Sequence, residues 1–267
     1  MGTRLKLTDK QNEPDFRGLP IQKVGVKGIR FPIQVLDRAR IMQDTIATIG
    51  LYVDLPKHFK GTHMSRFIEV LNEHGRIIHV DSIPDILRAI QNKFKSESAY
   101  INIEFPYFVT KKAPVSGLES LMDYRAGFIA SVSGSKIDFV LEVTVPVATV
   151  CPCSKAISSA GAHNQRGLVT VQVRYSNTVW IEELIETVET SASSGLYALL
   201  KREDEKAVTE SAFNNPVFVE DLVRNVAFKL KADSRISWFK IEAETFESIH
   251  NHNAYACIES DSKPVFP

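Results

Sequence analysis

Apolar and polar residues alternate from Val24 to Asp37 and from Gln43 to Asp54, the period-two pattern of half-buried strands. The spacing then lengthens to that of helices over Met64–His74 and Ile83–Phe94. Ser82 is the expected N-cap of the second helix, with Pro84 in a first turn that tolerates it. Strand patterns return over Ser98–Thr110 and Leu121–Ser133. The second half of the chain repeats this order. Lys136–Thr149 and Gly167–Tyr175 read as strands, and Trp180–Leu200 as one long amphipathic helix. Asp204–Phe213 reads as a short helix, Pro216–Lys231 as a further one, and Ile236–Glu247 and Asn253–Glu259 as closing strands. Each half therefore predicts ββααββ, with the join near Gly134-Ser135. The expected class is α+β with antiparallel sheets: an arm over 1–20, a first module over 21–134 and a second over 135–267. Such modules leave sheet edges open, and a ring of subunits would pair them into a closed barrel.

Composition narrows the function. The chain has 267 residues, 44% apolar and 24% charged, enough for a buried core. Lysine plus arginine and aspartate plus glutamate stand at 32 each, a balance that favours neither nucleic acid nor a membrane surface. Any basic site must be local. The first twenty residues lack an apolar signal region, and no apolar run approaches bilayer length. Three cysteines, Cys151, Cys153 and Cys257, make no disulfide framework and suit a reducing cytoplasm.

The chemistry concentrates in four segments. Val150 to Gly167, VCPCSKAISSAGAHNQRG, sets two thiols two residues apart and His163 twelve after the first. Thiolate and imidazole together suit zinc or another borderline metal, and too few cysteines are present for a closed four-ligand site. An open, catalytic site is the alternative to buried, inert side chains. Within KREDEKAVTE (201–210), Glu205 offers a hard oxygen, although such a charge run equally reads as a solvated helix start. ESIHNH (247–252) brings Glu247, His250 and His252 to a predicted strand end, the two histidines on one face if the strand continues. KGTHMSRF (60–67) places His63, Ser65 and Arg66 at a helix start, where an anionic oxygen fits; Thr62 as an ordinary cap is the plainer reading. Glu220 reads as an exposed helix acid. No GxxxxGK[ST], GxGxxG or GxSxG motif is present.

Six motifs, GTHMSRF (61–67), CPCSK (151–155), GAHNQRG (161–167), KREDE (201–205), VTE (208–210) and ESIHNHNA (247–254), together resemble the GTP cyclohydrolase type B family. The resemblance implies a tunnelling fold of two tandem ββααββ modules, assembled as a homotetramer. It implies conversion of GTP and water to 7,8-dihydroneopterin triphosphate and formate, the first step of tetrahydrofolate biosynthesis. It also implies a divalent metal (zinc, manganese or iron(II)) on Cys151, His163 and Glu205, with Glu247 and His250 completing or adjusting the shell. Glu220 matches the acid that anchors the purine in tunnelling-fold enzymes. Cys153, His250 and His252 then become candidates for proton transfer, histidine being the side chain that exchanges protons near neutral pH. Lys155, Arg166, Arg202 and Arg66 are candidates for the triphosphate. Two other readings remain at this stage: an NADPH-dependent nitrile reductase of the same fold, working through a metal-free cysteine, and a non-catalytic purine- or pterin-binding barrel protein.

Overall fold

A computed structural model describes residues 10–75 and 78–261. The alternating segments fold as the strands β1 (Ile21–Asp37), β2 (Ile41–Leu55), β4 (Ser98–Lys112), β5 (Glu119–Ser133), β6 (Lys136–Val150), β7 (Asn164–Tyr175), β9 (Ile236–Thr245) and β10 (Ala254–Glu259). Two-residue strands β3 (Ile78–His79) and β8 (Ser194–Gly195) add to them. The helices are α1 (Ser65–Glu73), α2 (Ile83–Phe94), α3 (Pro152–Ile157), α4 (Ile181–Glu189), α5 (Arg202–Asn214) and α6 (Val219–Ala232). Hydrogen bonding runs in the order β10-β9-β7-β6-β5-β4-β2-β1-β3, with β8 beside β6. Among the described residues no helix is long and apolar enough to cross a membrane.

The chain divides into two compact units that are interleaved in sequence. One comprises Met1–Val35, Asp44–Glu104 and Phe128–Phe139; the other comprises Leu36–Gln43, Phe105–Gly127 and Val140–Pro267. In the first unit, β2 and β4 pair antiparallel with Leu51 opposite Ile101. The buried stripes of α1 (Phe67, Val70, Leu71) and α2 (Ile83, Ile86, Leu87, Ile90) supply its helical core. The rings of Phe67 and Phe94 stack at 4.2 Å. In the second unit, β7 pairs with both β6 and β9, and α6 packs on β9 through a stripe of Leu222, Val223, Val226 and Leu230. Each such fully buried aliphatic side chain contributes about 1.5–3 kcal/mol relative to exposure.

Several expectations are corrected. The helix expected over Trp180–Leu200 stops at Glu189. The Thr-Ser-Ala-Ser-Ser-Gly run that follows supplies hydroxyls that compete for backbone. Thr190 and Ser191 donate to the carbonyls of Glu186 and Thr187, and Ser193 accepts the N–H of Val150. Ser194 and Gly195 then pair with Ala148 and Val147 of β6. Ser82 stands at the N-cap of α2, but its side chain makes no capping bond. Thr62 is not a cap; α1 starts three residues later, after Met64, and Thr62 is buried. The strand expected to run to Glu247 ends at Thr245, which leaves His250 and His252 in the β9–β10 connection.

Candidate active site

The hairpin of β6 and β7 builds the centre of the site. Its ladder ends at Val150 opposite Asn164, and one step beyond, the N–H of Cys151 donates to the carbonyl of His163 at 3.1 Å. The chain between turns through α3, a helix the strand-and-loop reading missed. Its signal was Pro152, whose fixed φ suits a first helical position. Cys151 is the N-cap, and its Sγ accepts the N–H of Ser154 at 3.4 Å. The hydroxyl of Ser154 in turn accepts the N–H of His163 at 3.0 Å. One serine thus ties the thiol-bearing turn to the histidine.

The imidazole is oriented. Nδ1 of His163 lies 2.9 Å from Oε1 of Gln165, whose own amide nitrogen donates to Oγ1 of Thr149 at 3.0 Å. With the Gln165 oxygen turned toward the ring, Nδ1 is the nitrogen that Gln165 engages, and Nε2 is the one left for another partner. Glu247 stands 4.0 Å from the same Nδ1, and its other oxygen accepts from Thr245 at 2.8 Å. Phe246 N–H donates to Arg166 O, which holds the end of β9 against β7. Glycine at 167 suits the close approach: a Cβ there would meet the Glu244 carbonyl oxygen at 3.0 Å, tighter than an ordinary contact.

The remaining candidates lie as follows. Glu205, in the first turn of α5, is exposed, and its side chain makes no hydrogen bond or ion pair among the described residues. Among those residues no three His, Cys, Asp or Glu side chains form a ready-made metal cluster, so Glu205 does not close on Cys151 and His163 in this arrangement. Glu220, in the first turn of α6, is likewise exposed and unpaired among the described residues. The rings of His250 and His252 stack at 5.2 Å although no strand aligns them. Cys153 is exposed, and all three cysteines are free thiols. Lys155 does not stand free for an anion: its Nζ donates to the Phe213 carbonyl and lies 4.3 Å over the Phe213 ring. Arg166 and Arg202 are exposed. His63, Ser65 and Arg66 belong to the other unit, at the start of α1.

The charge run at 201–210 conceals a buried anchor. Asp204 is fully buried and accepts four hydrogen bonds, from Val115 N–H, Ser116 N–H, Ser116 O–H and Lys201 N–H at 2.7–2.9 Å. It fixes the start of α5, and with it Glu205, on the β4–β5 turn. Burial alone pushes this carboxyl up, but the hydrogen bonds from Ser116, Lys201 and Val115 outweigh it and hold it well below the usual carboxylate range. A depressed folded pKa contributes stability that is present above the unfolded value of about 3.9 and is lost as pH falls through the folded one. Asp204→Asn should therefore melt several degrees below the native chain at neutral pH. The gap should narrow only under strong acid; a constant gap in melts recorded from neutral pH down through that range would refute the assignment.

Comparison with solved structures establishes the class. The urate oxidase from Bacillus sp. TB-90 superposes with a TM-score of 0.54 at 8% identity, covering 90% of this chain and 99% of that one. The uricase from Arthrobacter globiformis gives 0.50 at 9%, covering 90% and 94%. At such identities the likeness concerns fold alone, and the fold is the tunnelling fold. Sequence carries the rest. The family model for Type I GTP cyclohydrolase folE2 matches residues 7–256. GTP cyclohydrolase FolE2 of Syntrophus aciditrophicus (strain SB) is 57% identical over 255 residues, covering 96% of this chain and all of that protein. The protein of the same name from Geotalea uraniireducens (strain Rf4) is 55% identical, covering 96% and 94%. The chain belongs to this GTP cyclohydrolase family and is an enzyme of that class.

Proposed function

We propose that the chain hydrolyses GTP to 7,8-dihydroneopterin triphosphate and formate with a divalent ion held by Cys151, His163 and Glu205. The observation that carries the reading is the orientation of His163: Gln165 occupies Nδ1 and leaves Nε2 as a ligand, beside the turn that presents the Cys151 thiol. A metal-binding histidine ordinarily has its second nitrogen held in this way. Thiolate, imidazole and carboxylate suit zinc, manganese or iron(II), and an unpartnered Glu205 can supply the oxygen. Bound there, the ion supplies Lewis acidity that makes water a nucleophile near neutral pH. Glu247 and His250 complete or adjust the shell.

Glu220 anchors the base, its two oxygens accepting from N1–H and the exocyclic amine of guanine. Water adds to C8, and a proton from His250 or His252 to the departing ring nitrogen lets the imidazole ring open. Hydrolysis of the resulting formamide releases formate, and the ribose carbons then close the pterin ring. Cys153, exposed two residues from Cys151, is placed to shuttle protons. Arg166 and Arg202, with His63, Ser65 and Arg66, are the candidates for the triphosphate; Lys155 would join them only by giving up its bond to the Phe213 carbonyl. The tandem-module arrangement, assembly as a homotetramer and a place in the cytoplasm at the first step of tetrahydrofolate biosynthesis belong to the same proposal.

The reading is tested by incubating the protein with GTP and each metal in turn while following formate and, after oxidation, pterin fluorescence. Activity after complete metal removal would overturn it. Gln165→Leu leaves all three ligands in place but frees the ring, and should weaken metal binding roughly 10–100-fold. Unchanged affinity in a metal titration would remove Gln165 from the site.

A further inference from the structure

The segment that joins α4 to α5 is fastened at both ends to one hairpin, β4–β5, and all of these residues belong to the second unit. At the far end Asp204 accepts from Val115 and Ser116 in the hairpin turn. At the near end the fastening is Lys111 of β4. Its Nζ donates to Oε1 of Glu189, the last residue of α4, at 2.6 Å and to the carbonyl of Leu196, and it lies 4.3 Å over the ring of Tyr197. Tyr124 of β5 donates its hydroxyl to the same Glu189 oxygen at 2.8 Å. Burial first, and then the Glu189 charge, pushes that phenol up, so it stays a donor.

Lys111 and Glu189 are only 15% and 16% exposed, too little for water to replace a lost partner. Gly195 leaves room for the pair: a Cβ there would meet Nζ of Lys111 and Cδ of Glu189, each at 2.9 Å. Between its two fastenings the segment reaches both sides of the metal-ligand set. Ser194 and Gly195 pair with Ala148 and Val147 of β6, and Ser193 accepts the N–H of Val150, the residue before Cys151. At the other end the carbonyl of Lys201 accepts the N–H of Glu205 at 2.9 Å. Cys151 and His163 need no such link, because their own hairpin and Ser154 join them. Glu205 comes from a distant stretch of chain, and its place relative to them depends on this segment.

We propose that Lys111, with Glu189 and Tyr124, is a positioning residue for the metal centre: it fixes the backbone from which Glu205 is offered to the ion. The inference rests on the reading of Glu205 as a ligand. It adds to that reading a buried ion pair that touches none of the three ligands.

The test is a double-mutant cycle on the full chain, stripped of metal and titrated with zinc and with manganese(II). Lys111→Met should weaken binding roughly tenfold in the native background. On top of Glu205→Gln it should cost less than about twofold, because no carboxylate is left to position. Both variants that lose Lys111 should melt lower, but a merely structural lysine would cost the same affinity in the two backgrounds. Gly195→Ala should reproduce the loss with every charge retained, by forcing the segment off the pair, and it carries the test if Lys111→Met does not fold. Lys112→Met, an equal change of charge on the next residue of β4, exposed and paired with Glu119, should bind like the native chain. Equal losses in the two backgrounds, or native affinity in Lys111→Met or Gly195→Ala, overturn the proposal and leave the ligand set standing. Native affinity in Glu205→Gln alone overturns the ligand reading, and the proposal falls with it.

Discussion

Cys151→Ala should lose its bound divalent ion and release formate from GTP on the order of a thousand-fold more slowly, or worse, about 4 kcal/mol of barrier. The residue has two jobs that can be separated. Its sulfur accepts the Ser154 N–H and so caps α3, and it is also the proposed soft ligand. Cys151→Ser keeps an acceptor at the N-cap, a position serine favours, so α3 and the Ser154–His163 contact should survive. Metal affinity should still fall, because a hydroxyl is a poor substitute for thiolate toward zinc or iron(II). Elemental analysis, formate release and thermal melts on both variants check this. A serine variant with full metal content and native turnover would sink the ligand assignment, whatever the alanine variant does.

Glu220→Ala should cut kcat/KM for GTP by roughly a thousand-fold or more while metal content stays native. A doubly hydrogen-bonded carboxylate–guanine pair, closed off from water only when the base binds, is worth that much once broken. Stability should shift by no more than about 0.5 kcal/mol, since the side chain is exposed and unpaired at the start of α6. Glu220→Gln should behave almost as badly, because it turns an NH₂ donor toward a base edge that offers only donors. The native enzyme should also prefer GTP to inosine triphosphate, which lacks the exocyclic amine, and Glu220→Ala should lose that preference. Loss of metal in the alanine variant would contradict an anchoring role and move Glu220 into the metal shell.

Much of this was legible along the chain. The β-strand segments were marked by period-two alternation, and β4 keeps it in the fold, burying Ile101, Ile103, Phe105 and Tyr107 in turn. The family was legible too, because CPCSK and GAHNQRG combine residue types that packing alone has no reason to place together. The helix expected after Trp180 ran too far because no proline interrupts the segment to Leu200, and Ser191 and Ser193 do not by themselves end a helix. Their hydroxyls instead bond backbone, and the chain returns to the β6 edge. Asp204 was hidden for a similar reason: in KREDE nothing distinguishes the buried carboxylate from the exposed ones beside it.

Local spacing by itself determined the strands, most helices, and which thiol and imidazole are candidates for a shared metal, because those follow from periodicity and from side-chain chemistry within a few residues. Only the tertiary structure decided that Gln165 and Thr149 orient His163, that Asp204 fastens α5 to a turn some ninety residues earlier, and that Lys111 pairs with Glu189 beside Gly195. Those contacts join positions on different strands, turns and helices, and their geometry is set by sheet register and helix packing, which a one-dimensional pattern does not contain.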